Sequence, residues 1–142
     1  MRDINILIDS NIVLDVVQER EPFSSNAKKV LSQCITRKIN GFVTAHSLCD
    51  IFYILRKDKT LEERLSLIGN LCKYVTVLSE SQTDFEAIAR NPETRDLEDS
   101  LQMICAENYA LDYIVTRNTK DFAASKIPAI EPDAFLKLLT TA

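Results

Sequence analysis

The chain of 142 residues has no tryptophan, only two glycines and a single histidine. With two glycines, neither a P-loop nor a dinucleotide-binding fingerprint can be formed. One histidine excludes zinc fingers and histidine-based zinc sites, and nothing around His46 suggests a Ser-His-Asp or Cys-His nucleophile. We interpret His46 as a polar residue at the start of a helix. The chemistry of the chain is therefore left to its carboxylates.

Long hydrophobic runs and cysteine pairs are absent too. No apolar run reaches the ~18 residues that span a bilayer. Asp3 and Asn5 fall where a signal peptide would be apolar, so we expect a cytoplasmic protein. The cysteines are widely spaced, lie in apolar contexts and form no C-x-x-C pair, so we interpret them as reduced core residues. They are Cys34, Cys49, Cys72 and Cys105.

Composition and charge are those of an ordinary globular domain. The chain is 46% hydrophobic and 27% charged, which is typical of a soluble protein. No Gly-, Pro- or Ser-rich stretch marks a linker, so residues 1–142 are predicted to form a single domain. The net charge of -4 argues against broad, charge-driven binding of nucleic acid. A nuclease remains compatible with it, because bound divalent cations invert the sign of an acidic pocket.

Short β-branched segments alternate with amphipathic segments along the chain. This alternation predicts an α/β protein with a parallel sheet and helices on both faces. In such sheets, ligands bind beyond the carboxyl ends of the strands. Strands are predicted at 4–8, 41–44, 75–78, 112–116 and 129–130. Helices are predicted at 11–20 (with Ser10 as N-cap), 24–37, around Leu48, Ile51, Phe52 and Leu55, and at 61–73, 82–90, 97–110 and 132–139.

Acidic and amide side chains occur at or after the predicted carboxyl ends of three strands. One acid ends the first strand, another lies in the helix that follows the second strand, and two lie three residues apart at the start of a later helix, where they face the same way. Parallel strands would gather them all at one edge of the sheet. These residues are Asp9, Asp50, Asp96, Asp99, Asn118 and Asp121.

Each acid also has a purely structural interpretation. Asp9 could initiate a turn, Asp50 could complete a capping box with Ser47, and Asp96 could cap the helix whose first turn holds Asp99. Acids in a first helical turn contribute only ~0.3–1 kcal/mol, whereas two carboxylates ~4 Å apart repel by roughly 4 kcal/mol at an effective dielectric near 20. Converging acids therefore need raised pKa values or a bound cation. Oxygen ligands suit Mg²⁺ or Mn²⁺, which support phosphodiester hydrolysis.

Four segments of the chain carry a resemblance to a known family. They are residues 8–15 (IDSNIVLD), 47–57 (SLCDIFYILRK), 96–102 (DLEDSLQ) and 112–122 (DYIVTRNTKDF). In this order and spacing they resemble the PIN-domain family, including the VapC-type toxins of bacterial toxin-antitoxin pairs, over nearly the whole chain. The resemblance implies a three-layer α/β/α fold with a five-stranded parallel sheet. It also implies a Mg²⁺- or Mn²⁺-dependent endoribonuclease that cleaves single-stranded RNA, forms a homodimer and has an antitoxin as a possible partner.

The resemblance also implies roles for the acidic residues. Asp9 resembles the first metal ligand of the family and Asp99 the third. Asp50 stands where many members have glutamate, so its carboxylate reaches one methylene less far. Asp96 is expected to be an accessory acid at the metal.

The polar residues after the fourth strand depart in part from the family pattern. Asn118 stands where many members have a fourth acid, and it can offer a carbonyl oxygen but no charge. Either Asp121 supplies the missing carboxylate, or a second metal binds weakly or arrives with the substrate. Asn11 is expected to orient Asp9 by a hydrogen bond, while Thr116 and Arg117 are expected to contact water, phosphate or RNA. Other candidate phosphate contacts in or beside the motifs are Arg56, Lys57 and Lys120.

Two other hypotheses stay open at this point. The departures at Asp50 and Asn118 are compatible with a PIN-like module that has lost catalysis and binds RNA or protein. A phosphotransfer domain of the receiver or haloacid-dehalogenase type also has an aspartate at a strand end. The segment that follows Asp9 lacks the second aspartate of a D-x-D nucleophile pair, which disfavours that class.

Overall fold

Five short strands form one sheet in the order β3-β2-β1-β4-β5, and every neighbouring pair is parallel. The structure is a computed structural model that describes residues 3–141. Met1 and Arg2, which belong to the N-terminal segment predicted not to be a signal peptide, and Ala142 lie outside the described residues. The predicted parallel sheet of five strands is confirmed. The strands are β1 (Asn5–Ile8), β2 (Asn40–Thr44), β3 (Val75–Leu78), β4 (Tyr113–Val115) and β5 (Ala129–Ile130).

Seven α-helices connect and follow these strands in the described part of the chain, each close to its predicted position. The first helix ends earlier than predicted, at Val17 rather than Arg20, because Glu19 adopts a left-handed φ of 49°. No helix within residues 3–141 has the length and apolar character to cross a membrane. The helices are α1 (Ser10–Val17), α2 (Ser24–Ile35), α3 (Ala45–Ile54), α4 (Leu61–Tyr74), α5 (Gln82–Arg90), α6 (Leu97–Asn108) and α7 (Pro132–Thr141).

Both faces of the sheet are buried, as the alternation along β1 demonstrates. Ile6 and Ile8 belong to a core cluster with residues of α1, α2 and α7, whereas Leu7 belongs to a second cluster with residues of α6. All three side chains are 0% exposed. A strand that is covered on both sides reads as a continuous hydrophobic run, which explains the sequence of β1. The predicted three-layer α/β/α arrangement is therefore confirmed.

Two predicted helix caps are wrong, and both corrections concern acidic residues at the candidate site. Asp9, rather than Ser10, caps α1, and one of its carboxylate oxygens accepts a hydrogen bond from the Ser10 backbone N–H at 2.8 Å. Thr44 caps α3 by accepting from the backbone N–H of Ser47 at 3.3 Å. Asp50 lies in the middle of α3, so it does not form the capping box with Ser47 that the sequence allowed.

The cysteines are only partly as predicted. All four are free, in agreement with the reduced state, but only Cys34 and Cys105 are buried. Burial raises the pKa of each of these two thiols to about 12, so both stay protonated near neutral pH. Cys49 and Cys72 are exposed on α3 and α4, and their prediction as core residues is wrong.

Candidate active site

Asp9 is held at the carboxyl edge of the sheet by hydrogen bonds from several elements. The register pairs Ile8 of β1 with Val115 of β4, so Asp9 and Thr116 leave the sheet side by side. The Thr116 hydroxyl donates to one carboxylate oxygen of Asp9 at 2.7 Å, and the Asn11 amide donates to the same oxygen at 3.3 Å. The other oxygen accepts from the Ser10 backbone N–H and from the side-chain amide of Gln102 on α6. A carboxylate has about four acceptor positions, so all of them are used.

Gln102 of α6 is a site residue for which the sequence predicted no role. Its side-chain nitrogen donates to Asp9 at 3.3 Å, while its oxygen accepts from the hydroxyl of Thr44 at 2.6 Å and more weakly from that of Ser47 at 3.4 Å. It is only 2% exposed. One glutamine thus ties the end of β1 to the start of α3. Its signal in the sequence was a polar residue directly after the core residue Leu101, inside the third motif.

Thr116 and Asn118 act on Asp9 from the β4 side. Thr116 is 0% exposed, and its hydroxyl accepts from the Asn11 amide at 3.3 Å and from the Asn118 backbone N–H at 3.0 Å while donating to Asp9. A contact of Thr116 with water or phosphate stays a prediction that this geometry does not favour, since its hydroxyl is buried and fully hydrogen-bonded. Thr116 positions Asp9 instead. Asn118 contributes only its backbone N–H, which donates to Thr116. The residue is exposed and lies directly before a short 3₁₀ turn, Thr119–Phe122.

Acidic residues surround Asp99, in the first turn of α6. The pKa of Asp99 is raised to about 6, first by burial and then by the negative charges of Asp96, Asp121, Asp9 and Glu98, in that order. Asp96 is also the N-cap of α6, as the sequence predicted, and accepts from the Asp99 backbone N–H at 2.8 Å. Strands and helix therefore bring four carboxylates within electrostatic reach of Asp99. We call Asp9, Asp50, Asp96, Glu98, Asp99 and Asp121 the acidic cluster.

Asp50 belongs to the acidic cluster through Glu98, a residue of the DLEDSLQ motif for which the sequence predicted no role. The pKa of Glu98 is raised by burial, by the charge of Asp50 and by a hydrogen bond with the Asp50 side chain. A carboxyl of α3 and a carboxyl of α6 are therefore in contact. The signal for Glu98 was its place beside Asp99 in the DLED segment, and its side chain is one methylene longer than that of aspartate.

Burial raises the pKa of Asp9 as well, although hydrogen bonds from Thr116, Ser10 and Gln102 and the charge of His46 act in the opposite direction. Raised carboxyl pKa values mean that the charged forms are disfavoured without a compensating cation. A set of hard oxygen donors suits Mg²⁺ or Mn²⁺. Within residues 3–141, no three acidic, histidine or cysteine side chains already form a ligand set. A cation at Asp9 would have to replace its long hydrogen bonds and draw neighbouring carboxylates closer.

Arg117, predicted to contact RNA, forms an ion pair with Asp15 inside the protein. Its guanidinium forms a two-point ion pair with Asp15, at 2.6 and 3.1 Å, and lies 4.0 Å from the centre of the Phe23 ring. Asp15 is 0% exposed, and a second arginine, Arg20, approaches it at 3.7 Å. The pair joins the segment after β4 to α1. A contact of Arg117 with RNA stays a prediction, and this geometry does not favour it.

A cleft of about 770 Å³ opens directly from the acidic cluster and runs along α6. Asp96, Asp99 and Asp121 are among its lining residues, and Met103 and Ile104 supply apolar surface. Of the cations predicted as phosphate contacts, only Lys120 lines this cleft; Arg56 instead lies 3.7 Å from the centre of the Tyr53 ring. The cations of the cleft are Arg95, Lys120 and Lys126.

These features meet in a three-layer α/β/α protein with an acidic cluster at the carboxyl edge of a parallel sheet. A model of the PIN domain family matches residues 5–120, which is most of the chain. The chain therefore belongs to the PIN domain family, as its sequence motifs predicted.

Individual relatives are distant in sequence but similar over their whole length. The chain is 21% identical over 146 residues to Ribonuclease VapC1 of Aquifex aeolicus (strain VF5), covering 99% of each protein. It matches the fold of a toxin-antitoxin complex from Klebsiella pneumoniae with a TM-score of 0.64 and 22% identity, over 89% of this chain and 97% of that one. It also matches Mycobacterium tuberculosis VapC20, described as a sarcin-ricin loop cleaving toxin, with a TM-score of 0.65 and 13% identity, over 84% of this chain and 94% of that one.

Proposed function

We propose that this protein is an endoribonuclease that hydrolyses phosphodiester bonds of single-stranded RNA with Mg²⁺ or Mn²⁺. The observation that carries the proposal is the convergence of the acidic cluster around Asp99, where burial and the neighbouring carboxylates raise the pKa of Asp99, because such a cluster is stabilised by a divalent cation. The ribonuclease named among its relatives and the toxin-antitoxin complex among its structural matches support it. We further propose that the protein is the toxin of a toxin-antitoxin pair and acts as a homodimer.

In this mechanism Asp9, Asp99 and Asp50 would hold the cation, with Asp96 as an accessory acid and Asp121 as the additional carboxylate. The bound ion supplies an activated water and neutralises charge that develops on the phosphate. Thr116, Asn11 and Gln102 fix the orientation of the Asp9 carboxylate. Fixing a ligand in this way lowers the cost of organising the site before the substrate arrives.

The test is cleavage of a mixed single-stranded RNA pool by the purified protein with Mn²⁺, Mg²⁺ or EDTA. We expect cutting with either ion, no cutting in EDTA and none by Asp9→Asn. The asparagine preserves the size and the N-cap of α1 but removes the charge. Full metal-dependent cutting by Asp9→Asn would contradict the assignment of this site.

We also propose that the RNA strand passes through the cleft beside α6. Lys120 directly precedes Asp121 there, so it adjoins a member of the acidic cluster. Lys120→Ala is expected to raise KM with little change in kcat, because a phosphate contact away from the reacting atoms contributes to binding alone. The slope of log affinity against log salt should fall by about 1.

The matched control for this prediction is Lys137→Ala, since Lys137 lies on α7 and does not line the cleft. Both variants lose one positive charge, so a general effect of net charge would appear in both. An unchanged salt slope for Lys120→Ala would mean that the RNA follows another path. RNA binding can be measured in the Asp9→Asn background, where the substrate stays intact.

A PIN domain without catalysis, which binds RNA or protein, is the second candidate. The Asp9 carboxylate favours it, because all its acceptor positions are already used within the protein. Normal RNA binding without cleavage in Mn²⁺, together with no Mn²⁺-dependent rise in melting temperature, would support this candidate over the nuclease.

A further inference from the structure

The single histidine lies at the same edge of the sheet as the acidic cluster. His46 is the second residue of α3 and follows β2, the direct neighbour of β1 in the sheet. Glu80 follows β3, the next strand along, and its side chain is 9% exposed. The His46 ring nitrogen Nδ1 donates to Glu80 Oε1, and the His46 backbone N–H lies 3.5 Å from the same oxygen. The carboxyl ends of β1, β2 and β3 thus supply an aspartate, a histidine and a glutamate.

The contact with Glu80 fixes both the orientation and the tautomer of the imidazole. A carboxylate can only accept, so Nδ1 carries the hydrogen and the opposite nitrogen, Nε2, is left as the reactive one. A carboxylate behind an imidazole also stabilises the imidazolium, as in catalytic triads. The ring itself is 20% exposed, so it is accessible to a bound molecule.

The electrostatic field of His46 acts on the acidic cluster from the side of α3. It favours the charged forms of both Asp9 and Glu98. The charged groups that face the imidazole are therefore Glu80 after β3, Asp9 after β1 and Glu98 on α6. The imidazole therefore lies within electrostatic reach of two members of the acidic cluster, Asp9 and Glu98.

Phosphodiester hydrolysis needs a proton on the oxygen that leaves phosphorus, because an alkoxide is a poor leaving group at neutral pH. The carboxylates of the acidic cluster are engaged as the expected metal ligands or as their neighbours. We propose that His46, held by Glu80, is a catalytic residue that donates the proton from Nε2 to the leaving oxygen. This inference rests on the proposed ribonuclease function.

In the proposed step, a water oxygen forms a new bond to phosphorus as the bond between phosphorus and the leaving oxygen breaks. The electron pair of the broken bond stays on the leaving oxygen, which takes the proton from His46 Nε2. The attacking water loses one proton to solvent, and the neutral imidazole regains a proton from solvent before the next cycle. No oxidant, reductant or further reactant is needed.

The test compares two oligonucleotides that differ at one atom. The chemical ends of the cleavage products first identify which oxygen leaves phosphorus. One oligonucleotide is then ordinary RNA, and in the other this leaving oxygen is replaced by sulfur at the cleaved linkage. A thiolate leaves without prior protonation, since its pKa lies far below that of an alcohol. His46→Gln is expected to cleave the oxygen substrate about 100-fold more slowly than wild type and the sulfur substrate at nearly the wild-type rate.

Glu80→Gln provides a second variant that keeps the histidine. We expect it to show the same selective loss on the oxygen substrate, but a smaller one, because the imidazole loses its carboxylate partner. Melting temperatures establish that each variant is folded. If His46→Gln does not fold, the rates of Glu80→Gln on the oxygen and sulfur substrates test the proposal instead.

Each outcome decides the proposal. Equal losses on the oxygen and sulfur substrates would overturn it and make His46 a residue that only supports the structure. No loss on the oxygen substrate would overturn it as well. If the wild type cleaves neither substrate in Mn²⁺, the proposed nuclease function fails and this inference fails with it. If the wild type and His46→Gln cleave each substrate at the same rate, only the role of His46 is removed.

Discussion

Replacing Asp99 by asparagine is expected to make the metal-free protein more stable and the enzyme almost inactive. The carboxylate of Asp99 is disfavoured by burial and by the negative charges of Asp96, Asp121 and Asp9. Removing its charge should raise the free energy of unfolding in EDTA near neutral pH by about 1 kcal/mol, a value reduced for solvent screening because the group is only partly buried. RNA cleavage with Mn²⁺ should fall more than about 100-fold, since even the neighbours of metal ligands matter at the 10–100-fold level.

The sign of the pH dependence follows from the direction of the shift. The pKa of Asp99 is about 6 in the folded protein against an ordinary value of 3.8, so the folded state binds the proton more tightly than the unfolded state. The stabilising contribution of the protonated Asp99 carboxyl is complete below pH 3.8 and is lost as the pH rises through about 6. The wild type in EDTA should therefore lose stability across this window, and Asp99→Asn should lose less.

Denaturant unfolding in EDTA and in Mn²⁺, at pH values on both sides of the window, measures these effects. Mn²⁺ should stabilise the wild type at neutral pH and leave Asp99→Asn nearly unchanged. The matched control is Asp133→Asn, which removes an acid from the first turn of α7 rather than α6. This control should be slightly destabilising, because it loses a favourable interaction with a helix N-terminus. Equal stability shifts for both variants would contradict a special role of the acidic cluster.

Arg117→Met is expected to destabilise the protein by about 3 kcal/mol or more. It leaves the carboxylate of Asp15 buried and without its two-point partner, and breaking a buried ion pair from one side typically costs about 3–5 kcal/mol. The methionine retains much of the packing on Phe23, so the loss reports on the charge. Because Arg117 directly follows Thr116, activity should fall too as the Asp9 hydrogen bonds become less well ordered.

Arg20→Met is the matched control for this second prediction. Arg20 also approaches Asp15, but at 3.7 Å and with a side chain 37% exposed, so its removal should cost less than about 1 kcal/mol. Thermal or urea unfolding of the two variants gives the comparison. If Arg117→Met kept wild-type stability but bound RNA weakly, then Arg117 would contact the substrate, as its place in the fourth motif had suggested.

Corrections at the site concern the partners of side chains rather than the positions of elements. Glu98 and Gln102 lie in the DLEDSLQ motif, yet nothing in the local sequence distinguished their side chains from those of other helix residues. Thr116 was expected at the substrate and lies buried under Asp9. Ser10 and Asp9 are adjacent and both suit an N-cap, so propensity could not choose between them. The choice depends on the hydrogen bonds that Asp9 receives from β4 and α6.

The sequence by itself determined the order of strands and helices, the parallel sheet and the edge at which its acids gather. It could do so because periodicity of apolar residues and the carboxyl ends of strands are local properties. Only the tertiary structure decided that Gln102 binds Asp9, 93 positions away, and that Arg117 pairs with Asp15, 102 positions away. Such pairs arise when packed layers bring distant side chains together, and their geometry depends on the whole core rather than on the residues beside them.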